Sequence, residues 1–281
     1  MDTRRYVIAD VFTDAPLEGN QLAVFTDGQG LSDETMQRVA RELNLSETVF
    51  VLPAPGDTHA TIRIFTPFTE LPFAGHPVLG TAFVLGGLIP APQIRLQTGS
   101  GLVPIALTRE GAQVTFGEME QPIPAVEPFS REDELLAALG VERSELPLEM
   151  YRNGPRFVYV TLAGEAAVAE LTPDLRALSR FDGVGVLCSA GSGTRYKARM
   201  FAPGLGVSED PATGSAAGPL AVHLARHGRI AFGQQIEISQ GAEIQRPSLL
   251  YARVDGAPER IDRVAVGGCA VVVARGEYRV A

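Results

Sequence analysis

The same sequence motif, here called the repeated phrase, occurs in two parts of the chain. The first reads Arg63-Ile-Phe-Thr-Pro67 followed by Glu70-Leu-Pro-Phe-Ala-Gly-His76, and the second reads Arg199-Met-Phe-Ala-Pro203 followed by Glu209-Asp-Pro-Ala-Thr-Gly-Ser215. Both match R-x-F-x-P followed by E-x-P-x-x-G, and an apolar segment rich in small residues follows each copy. A helix N-terminus presents N–H groups that favour an anion. The repeat therefore predicts two similar halves whose helix N-termini face one cleft and bind a small anion there.

Two segments are predicted to be buried helices, Pro77–Leu85 and Ser215–His227. Both are apolar on nearly every face, which is typical of a helix enclosed by other structure. Strand patterns dominate the rest of each half. The sequence predicts an α+β fold of two pseudo-symmetric lobes, each a mostly antiparallel β-sheet rolled around a buried central helix.

Two further segments predict helices on the surface. Ser32–Leu43 begins with a good N-cap residue, has acidic residues in its first turn, and spaces its apolar residues at i, i+3, i+4 and i+7. In Ser130–Gly140, Ser130 and Asp133 resemble a capping box, and the final glycine is a stop signal.

The boundary between the lobes is predicted in the proline-rich segment Gln121–Pro128. The predicted lobes are residues 1–122 and 123–281. Whether the last strand, Gly267–Val280, returns to the first lobe is left open by the sequence.

Composition narrows the class of protein. The 281 residues are 45% hydrophobic and 20% charged, with a formal net charge of −9, and no basic run offers a surface for nucleic acid or an anionic membrane. Cys188 and Cys269 form no C-x-x-C pair, so buried free thiols in a reducing compartment are expected. The longest apolar segment, Val78–Ile89, is too short to span a bilayer, and there is no signal-peptide pattern. A cytoplasmic location is expected.

The sharpest local feature is Gly75-His76-Pro77. Proline at the first helical position would make His76 the N-cap, with its side chain facing the cleft rather than the core. A positive helix end would lower the pKa of the imidazole and favour the neutral ring. A structural cap is the alternative, but the repeat places Ser215 at the equivalent position, which favours a functional role.

The second copy of the phrase combines Asp210 with consecutive small residues. Small residues leave N–H groups open to a ligand, and Asp210 could bind a substrate amine or hydroxyl, although a structural N-cap is the alternative. Pro219 has no N–H and cannot bond the carbonyl of Ser215. That carbonyl therefore needs another partner, or the helix starts late.

Glu47 is the candidate acid/base. It lies where a helix gives way to a strand among apolar neighbours, which should raise the pKa of its carboxyl group towards neutrality. A solvated surface glutamate is the structural alternative. The region taken as its counterpart, Asn153–Val158, has no carboxylate, so one acid/base group is predicted rather than two.

No metal or cofactor is predicted. His223 and His227 have a spacing that can bind zinc, but no metalloprotease glutamate lies between them and no third ligand is evident. His227 is better interpreted as a favourable charge at a helix C-terminus. No phosphate-binding loop or dinucleotide fingerprint occurs.

Together these motifs resemble the PhzF-like family of phenazine-biosynthesis isomerases, within the diaminopimelate-epimerase superfamily. The resemblance covers nearly the whole chain and rests on Asp10–Phe12, Gly19-Asn20, Ser46–Thr48, Pro72–Pro77, Glu209–Gly218, Gln240-Gly241 and Arg246–Ser248. It implies the two-lobe fold with an active site between the lobes, and a homodimer.

The resemblance also implies roles for individual residues. Glu47 would move a proton between carbons of a cyclic amino- or hydroxy-carboxylic acid, without metal or organic cofactor. The other implied catalytic residues are His76, Asp210 and Ser215, and the implied substrate contacts are Asn20, Ser46, Gly75, Thr213 and Gly214. The best-known family reaction isomerises trans-2,3-dihydro-3-hydroxyanthranilate. Gln21 departs from the family's usual Pro, which weakens the prediction of that substrate.

Epimerases of this superfamily use two thiols as paired bases. The corresponding turns here, Ala74–Pro77 and Pro211–Gly214, contain no cysteine, so two-thiol epimerisation is excluded at this site. Two alternatives to the isomerase stay open: a serine hydrolase using Ser215, His76 and Asp210, although the surrounding sequence is not a G-x-S-x-G elbow, and a non-catalytic metabolite-binding or interaction protein.

Overall fold

Strands make up most of the chain in the computed structural model, which describes residues 2–280. The fold is mixed α/β, dominated by sheet. The strands are β1 (Asp2–Val11), β2 (Asn20–Phe25), β3 (Glu47–Leu52), β4 (Ala60–Phe65), β5 (Glu70–Leu71), β6 (Gln93–Thr98), β7 (Gly101–Glu110), β8 (Gln113–Gln121), β9 (Ala125–Pro128), β10 (Glu149–Arg152), β11 (Arg156–Thr161), β12 (Val184–Ser192), β13 (Arg195–Ala202), β14 (Val207–Asp210), β15 (Gln235–Gln240), β16 (Ser248–Ala257), β17 (Arg260–Gly268) and β18 (Ala270–Val280). The α-helices are α1 (Asp33–Leu43), α2 (Gly75–Gly86), α3 (Glu132–Leu139), α4 (Glu165–Ala169), α5 (Leu175–Leu178) and α6 (Gly214–Arg226).

The chain divides into two compact units. The first contains the residues up to Glu120 together with those from Gly267 onward, and the second is Gln121–Val266. Strand β18 pairs antiparallel with β1 along its length, from Asp2 opposite Val280 to Val11 opposite Ala270. The last strand therefore belongs to the first unit.

The sheet of the first unit is built around a parallel pair. Strand β2 pairs antiparallel with β1 and parallel with β3, with Leu22 opposite Glu47. Strand β3 continues antiparallel to β4, β4 runs parallel to β6, and β6, β7 and β8 follow as an antiparallel series. Every residue of α2 is buried, and the helix packs against β1, β2, β6 and β7. This confirms the predicted buried helix.

The sheet of the second unit repeats the same series of pairings. Strand β11 runs parallel to β12, with Arg156 opposite Val184. Strand β12 is antiparallel to β13, β13 is parallel to β15, and β15 is antiparallel to β16. Helix α6 is buried from Gly214 to Ala225 and packs against β16 and β11. The second predicted buried helix is also confirmed.

This correspondence corrects one comparison made from sequence. In the strand order, β3 of the first unit matches β12 of the second, so the counterpart of Glu47 is Val184. Asn153 precedes β11, which matches β2, so the counterpart of Asn153 is Asn20. The comparison of Glu47 with the segment from Asn153 was wrong because it followed the local pattern of residues rather than the strand order. At the true counterpart the strand begins with an apolar residue, and the nearby Asp182 is exposed.

The repeated phrase has the same structural basis in both units. Arg63 donates from Nε and Nη2 to the two carboxylate oxygens of Glu70 at 2.7 and 2.6 Å. Arg199 binds Glu209 in the same way at 2.9 and 2.8 Å. Such a bidentate pair fixes two planar groups against each other. Each pair holds a strand against the segment that leads into the buried helix.

The ends of the helices confirm some predicted caps and correct others. Ser32 caps α1, with its Oγ accepting from Thr35 N at 3.2 Å, and Gly140 ends α3 in the left-handed region at φ 72°. The capping box of Ser130 and Asp133 was wrong, because Arg131 is the N-cap of α3 and its guanidinium binds Glu134 instead.

His76 was also wrongly placed as an N-cap. Ala74 is the N-cap of α2, so His76 is the second helical residue and Pro77 the third. Proline is tolerated there because the first turn of a helix has no intrahelical acceptors for its N–H groups. Within residues 2–280, no helix has the length and apolar character needed to cross a membrane.

Candidate active site

Three elements of the first unit bring Asn20, Glu47 and His76 together, here called the Glu47 group. Asn20 begins β2 and Glu47 begins the neighbouring parallel strand β3. The first turn of α2 supplies His76. Glu47 Oε2 lies 3.2 Å from His76 Nε2, and Asn20 Nδ2 lies 3.3 Å from His76 Nδ1. The imidazole is thus in contact with the carboxylate at one nitrogen and with the amide at the other.

The Glu47 group is largely enclosed. The side chains of His76 and Glu47 are 5% and 16% exposed, and Asn20 is completely buried. Among the described residues, His76 Nε2 has no hydrogen bond of good geometry despite its closeness to Glu47. The imidazole and the carboxylate are therefore held close together with little exposure to solvent.

Burial lowers the pKa of His76 to about 3, while a hydrogen bond with the backbone of Gln21 acts in the opposite direction. The imidazole is therefore neutral at physiological pH, as the sequence predicted. The cause differs from the predicted one, because loss of water rather than the helix end disfavours the charged ring.

A strained loop delivers Asn20 to this group. Asp10 is buried, and its Oδ2 accepts a hydrogen bond from Leu17 N at 2.7 Å. Leu17 has a φ of 71°, a region that costs free energy for residues other than glycine. Gly19 follows at φ 66°, and a Cβ there would collide with the carbonyl of Val11. Asp10 thus fixes the loop through a contact that no local sequence pattern predicts.

In the second unit, residues 210–215 form a buried turn, here called the Asp210 turn. Thr213 Oγ1 donates to Asp210 Oδ2 at 2.6 Å. Gln240 holds the turn from the end of β15, because its Nε2 donates to Asp210 O at 2.8 Å and its Oε1 accepts from Thr213 N at 3.3 Å. The carboxylate of Asp210 and the backbone at Asp210 and Thr213 are therefore held by contacts within the second unit.

Helix α6 begins directly after this turn. Gly214 and Ser215 are its first two residues and are buried. The predicted problem at the Ser215 carbonyl is resolved by another partner, because Asn153 Nδ2 donates to it at 3.0 Å. The helix therefore does not start late.

The structure thus brings together two subsets of the predicted site residues. Glu47, His76 and Asn20 meet in the first unit, with Ser46 and Gly75 beside them in the chain. In the second unit, residues 210–215 include Asp210, Thr213, Gly214 and Ser215. The roles of all nine residues in binding or catalysis stay predictions.

His223 of α6 and His227, the C-cap residue of the helix, share a third partner that no sequence motif indicates. Glu149 Oε2 lies 3.3 Å from His223 Nδ1 and 3.1 Å from His227 Nε2. The same oxygen accepts from Tyr151 Oη at 2.6 Å and from Arg226 Nη1 at 3.0 Å.

This cluster suits hydrogen bonding better than a metal ion. A histidine that binds a metal normally donates its other N–H to a partner. Within residues 2–280, His223 Nε2 is buried and has no such partner, and the guanidinium of Arg226 lies where it would repel a cation. Burial also lowers the pKa of His223 to about 4, with His227 adding to the effect.

Comparison with known proteins places this chain in one family. A family model described as phenazine biosynthesis-like protein matches residues 9–276. A trans-2,3-dihydro-3-hydroxyanthranilate isomerase of Pseudomonas aeruginosa is 56% identical over 272 residues, covering 97% of this chain and 98% of that protein. The crystal structure of a Bacillus anthracis phenazine biosynthesis protein of the PhzF family superposes with a TM-score of 0.85 at 25% identity, covering 99% of this chain and 100% of that one. A probable proline racemase from Agrobacterium radiobacter shares the fold, with a TM-score of 0.68 at 13% identity over 99% of this chain and 93% of that one.

The protein therefore has the fold that phenazine biosynthesis proteins share with a proline racemase. It belongs to the phenazine biosynthesis-like family. It is an isomerase, as its close relatives are, and the hydrolase and non-catalytic alternatives are set aside.

Proposed function

We propose that this isomerase moves a proton between carbons of a small cyclic amino- or hydroxy-carboxylic acid without a metal or organic cofactor, and that trans-2,3-dihydro-3-hydroxyanthranilate is its substrate. The substrate is inferred from the relative with 56% identity. Gln21 does not oppose this, because its side chain is exposed and its contact with His76 is made through the backbone.

The observation that carries the proposal is the 3.2 Å contact between Glu47 and a neutral, buried imidazole. A carboxylate can remove a proton from one carbon and return it to another. One C–H bond breaks and one forms, so no oxidant or reductant is needed. A neutral His76 can donate a hydrogen bond to the carboxylate or to the substrate without competing with Glu47 for the proton.

In this proposal the Asp210 turn binds the same substrate. Asp210 would accept from its amino or hydroxyl group, and the N–H groups of Gly214 and Ser215 would bind its carboxylate, since such groups at a helix start favour anions. Asn20, Ser46, Gly75 and Thr213 would be further contacts. The turn is already fixed by Thr213 and Gln240, which supports a role in binding.

The proposal includes the architecture expected from the sequence. The two units would be pseudo-symmetric lobes, each a sheet rolled around its buried helix, with the substrate between them and two copies of the chain in a dimer. The matching series of strand pairings and the two arginine–glutamate pairs support the first part of this proposal.

The test is isomerisation by the purified protein and by single variants of each group. Glu47→Gln is expected to lower kcat by ~10²–10⁴-fold, and Asp210→Asn to raise KM. A wild-type protein that is folded and yet leaves trans-2,3-dihydro-3-hydroxyanthranilate unchanged would refute the substrate. Full activity in Glu47→Gln would refute the acid/base.

A further inference from the structure

The first turn of α6 receives three hydrogen bonds from buried side chains. Gln121 Nε2 donates to the carbonyl of Gly214 at 2.8 Å, Asn153 Nδ2 to that of Ser215 at 3.0 Å, and Tyr159 Oη to that of Ala216 at 2.8 Å. The three donors are 6%, 4% and 0% exposed. Helix carbonyls normally need no such partners, because the N–H four residues later already binds each of them.

One of the three carbonyls is different. The N–H that would bind the carbonyl of Ser215 belongs to position 219, which is Pro219. Proline has no N–H, and its ring pushes away the carbonyl four residues before it. A buried carbonyl without a partner is costly. Asn153 supplies the missing donor, whereas Gly214 and Ala216 are followed at i+4 by Gly218 and Leu220, which retain their N–H groups.

We infer that Asn153 is a positioning residue for the substrate-binding turn: it replaces the hydrogen bond that Pro219 removes and thereby holds Ser215 and its neighbouring amides in place. Gln121 assists, because its Oε1 accepts from Asn153 Nδ2 at 3.3 Å while its Nε2 binds Gly214. The Gly214 carbonyl and the Ser215 N–H belong to one peptide group, so a donor on that carbonyl also polarises the N–H. This inference rests on the proposed function of the Asp210 turn.

The experiment is a double-mutant cycle of Asn153→Ala and Pro219→Ala, measured by steady-state kinetics and by thermal unfolding. Asn153→Ala is expected to lower kcat/KM roughly tenfold, chiefly by raising KM, because the binding turn loosens while Glu47 is unaffected. In the double variant, the Pro219→Ala substitution restores an N–H for the Ser215 carbonyl. Both kcat/KM and Tm should then recover most of the loss.

Tyr159→Phe is the matched control, because it removes a donor from the Ala216 carbonyl, whose i+4 residue, Leu220, has an N–H. It is expected to change KM less than about threefold, a smaller effect than that of Asn153→Ala. If Asn153→Ala does not fold, Asn153→Ser replaces it in the cycle, since the shorter side chain does not reach the carbonyl.

Strictly additive effects in the cycle, in both KM and Tm, would overturn the inference. So would a loss in Asn153→Ala confined to kcat, which indicates a smaller folded fraction rather than a displaced binding turn. The Tm cycle needs no substrate. A wild-type protein without activity therefore refutes the proposed function alone, while the coupling of Asn153 to Pro219 is still decided by unfolding.

Discussion

Replacing Glu47 by glutamine changes the chemistry of the candidate site while preserving its shape. The amide has nearly the volume of the carboxylic acid and can still lie within 3.2 Å of His76 Nε2, but it cannot accept and return a proton. The side chain is 16% exposed, so little buried area changes. We expect the variant to fold with wild-type Tm within about 2 °C.

The expected loss follows from the role assigned to Glu47. A positioned general acid/base contributes ~10²–10⁴-fold in rate, which corresponds to about 3–5 kcal/mol of transition-state stabilisation. Because glutamine keeps the shape of the pocket, the loss should fall on kcat, with KM changed less than about threefold.

The assay is turnover of trans-2,3-dihydro-3-hydroxyanthranilate followed by ultraviolet absorbance. The matched control is Glu42→Gln, an exposed residue of α1 in the same unit, which should keep wild-type kcat and KM. A Glu47→Gln variant with kcat close to that of wild type would refute the reasoning, as would an equal loss in the control.

Three other predictions concern stability. Arg199→Met should lower the free energy of unfolding by about 3–5 kcal/mol in urea titrations, because the side chains of Arg199 and Glu209 are only 9% and 11% exposed. Arg63→Met should lower it by only about 1 kcal/mol, because its partner Glu70 is 41% exposed. Equal losses in the two variants would contradict this. The pKa of His76 falls from 6.5 to about 3 on folding, so the contribution of its neutral ring to stability is complete above pH 6.5 and is lost as the pH falls towards 3. Between pH 6.5 and about 5, the free energy of unfolding should therefore fall by about 2 kcal/mol more for wild type than for His76→Asn. Parallel curves of unfolding free energy against pH for the two proteins would argue against a buried neutral ring. Gly218→Ala should cost about 1–3 kcal/mol, because the new Cβ would lie 2.7 Å from Val264 Cγ1 and collide with the amide of Gln121; an unchanged Tm would be the contrary result.

Local patterns were sufficient to predict much of the fold. The buried helices follow from their all-round apolarity, and the cap of α1 follows from Ser32 and the acidic residues after it. The repeated phrase could be recognised before its meaning was known. Its arginine and glutamate form the same bidentate pair in both units, because only seven or ten residues separate them.

Contacts that depend on sheet topology could not be predicted in this way. Asn153 is 62 residues from Ser215, Gln121 is 93 residues from Gly214, and Glu149 is 74 residues from His223. Nothing local in the sequence indicates which distant strand will pass beside a given helix turn.

Pro219 is an instructive intermediate case. The sequence established that the Ser215 carbonyl lacks its helical donor, because that follows from the covalent structure of proline. It could not identify Asn153 as the replacement, because Asn153 reaches that carbonyl only through the placement of β11 beside α6. The wrong comparison of Asn153 with Glu47 has the same origin.

Proton transfer by the Glu47 group is tested most directly by NMR in D₂O, with trans-2,3-dihydro-3-hydroxyanthranilate and the purified wild-type protein. We expect the substrate signals to disappear and a product to form that carries solvent deuterium at a single carbon, because the proton held by the partly exposed Glu47 carboxylate exchanges with D₂O before it is returned. A folded protein that leaves every substrate proton in place over many hours, or a product formed equally fast without Glu47, would contradict the account.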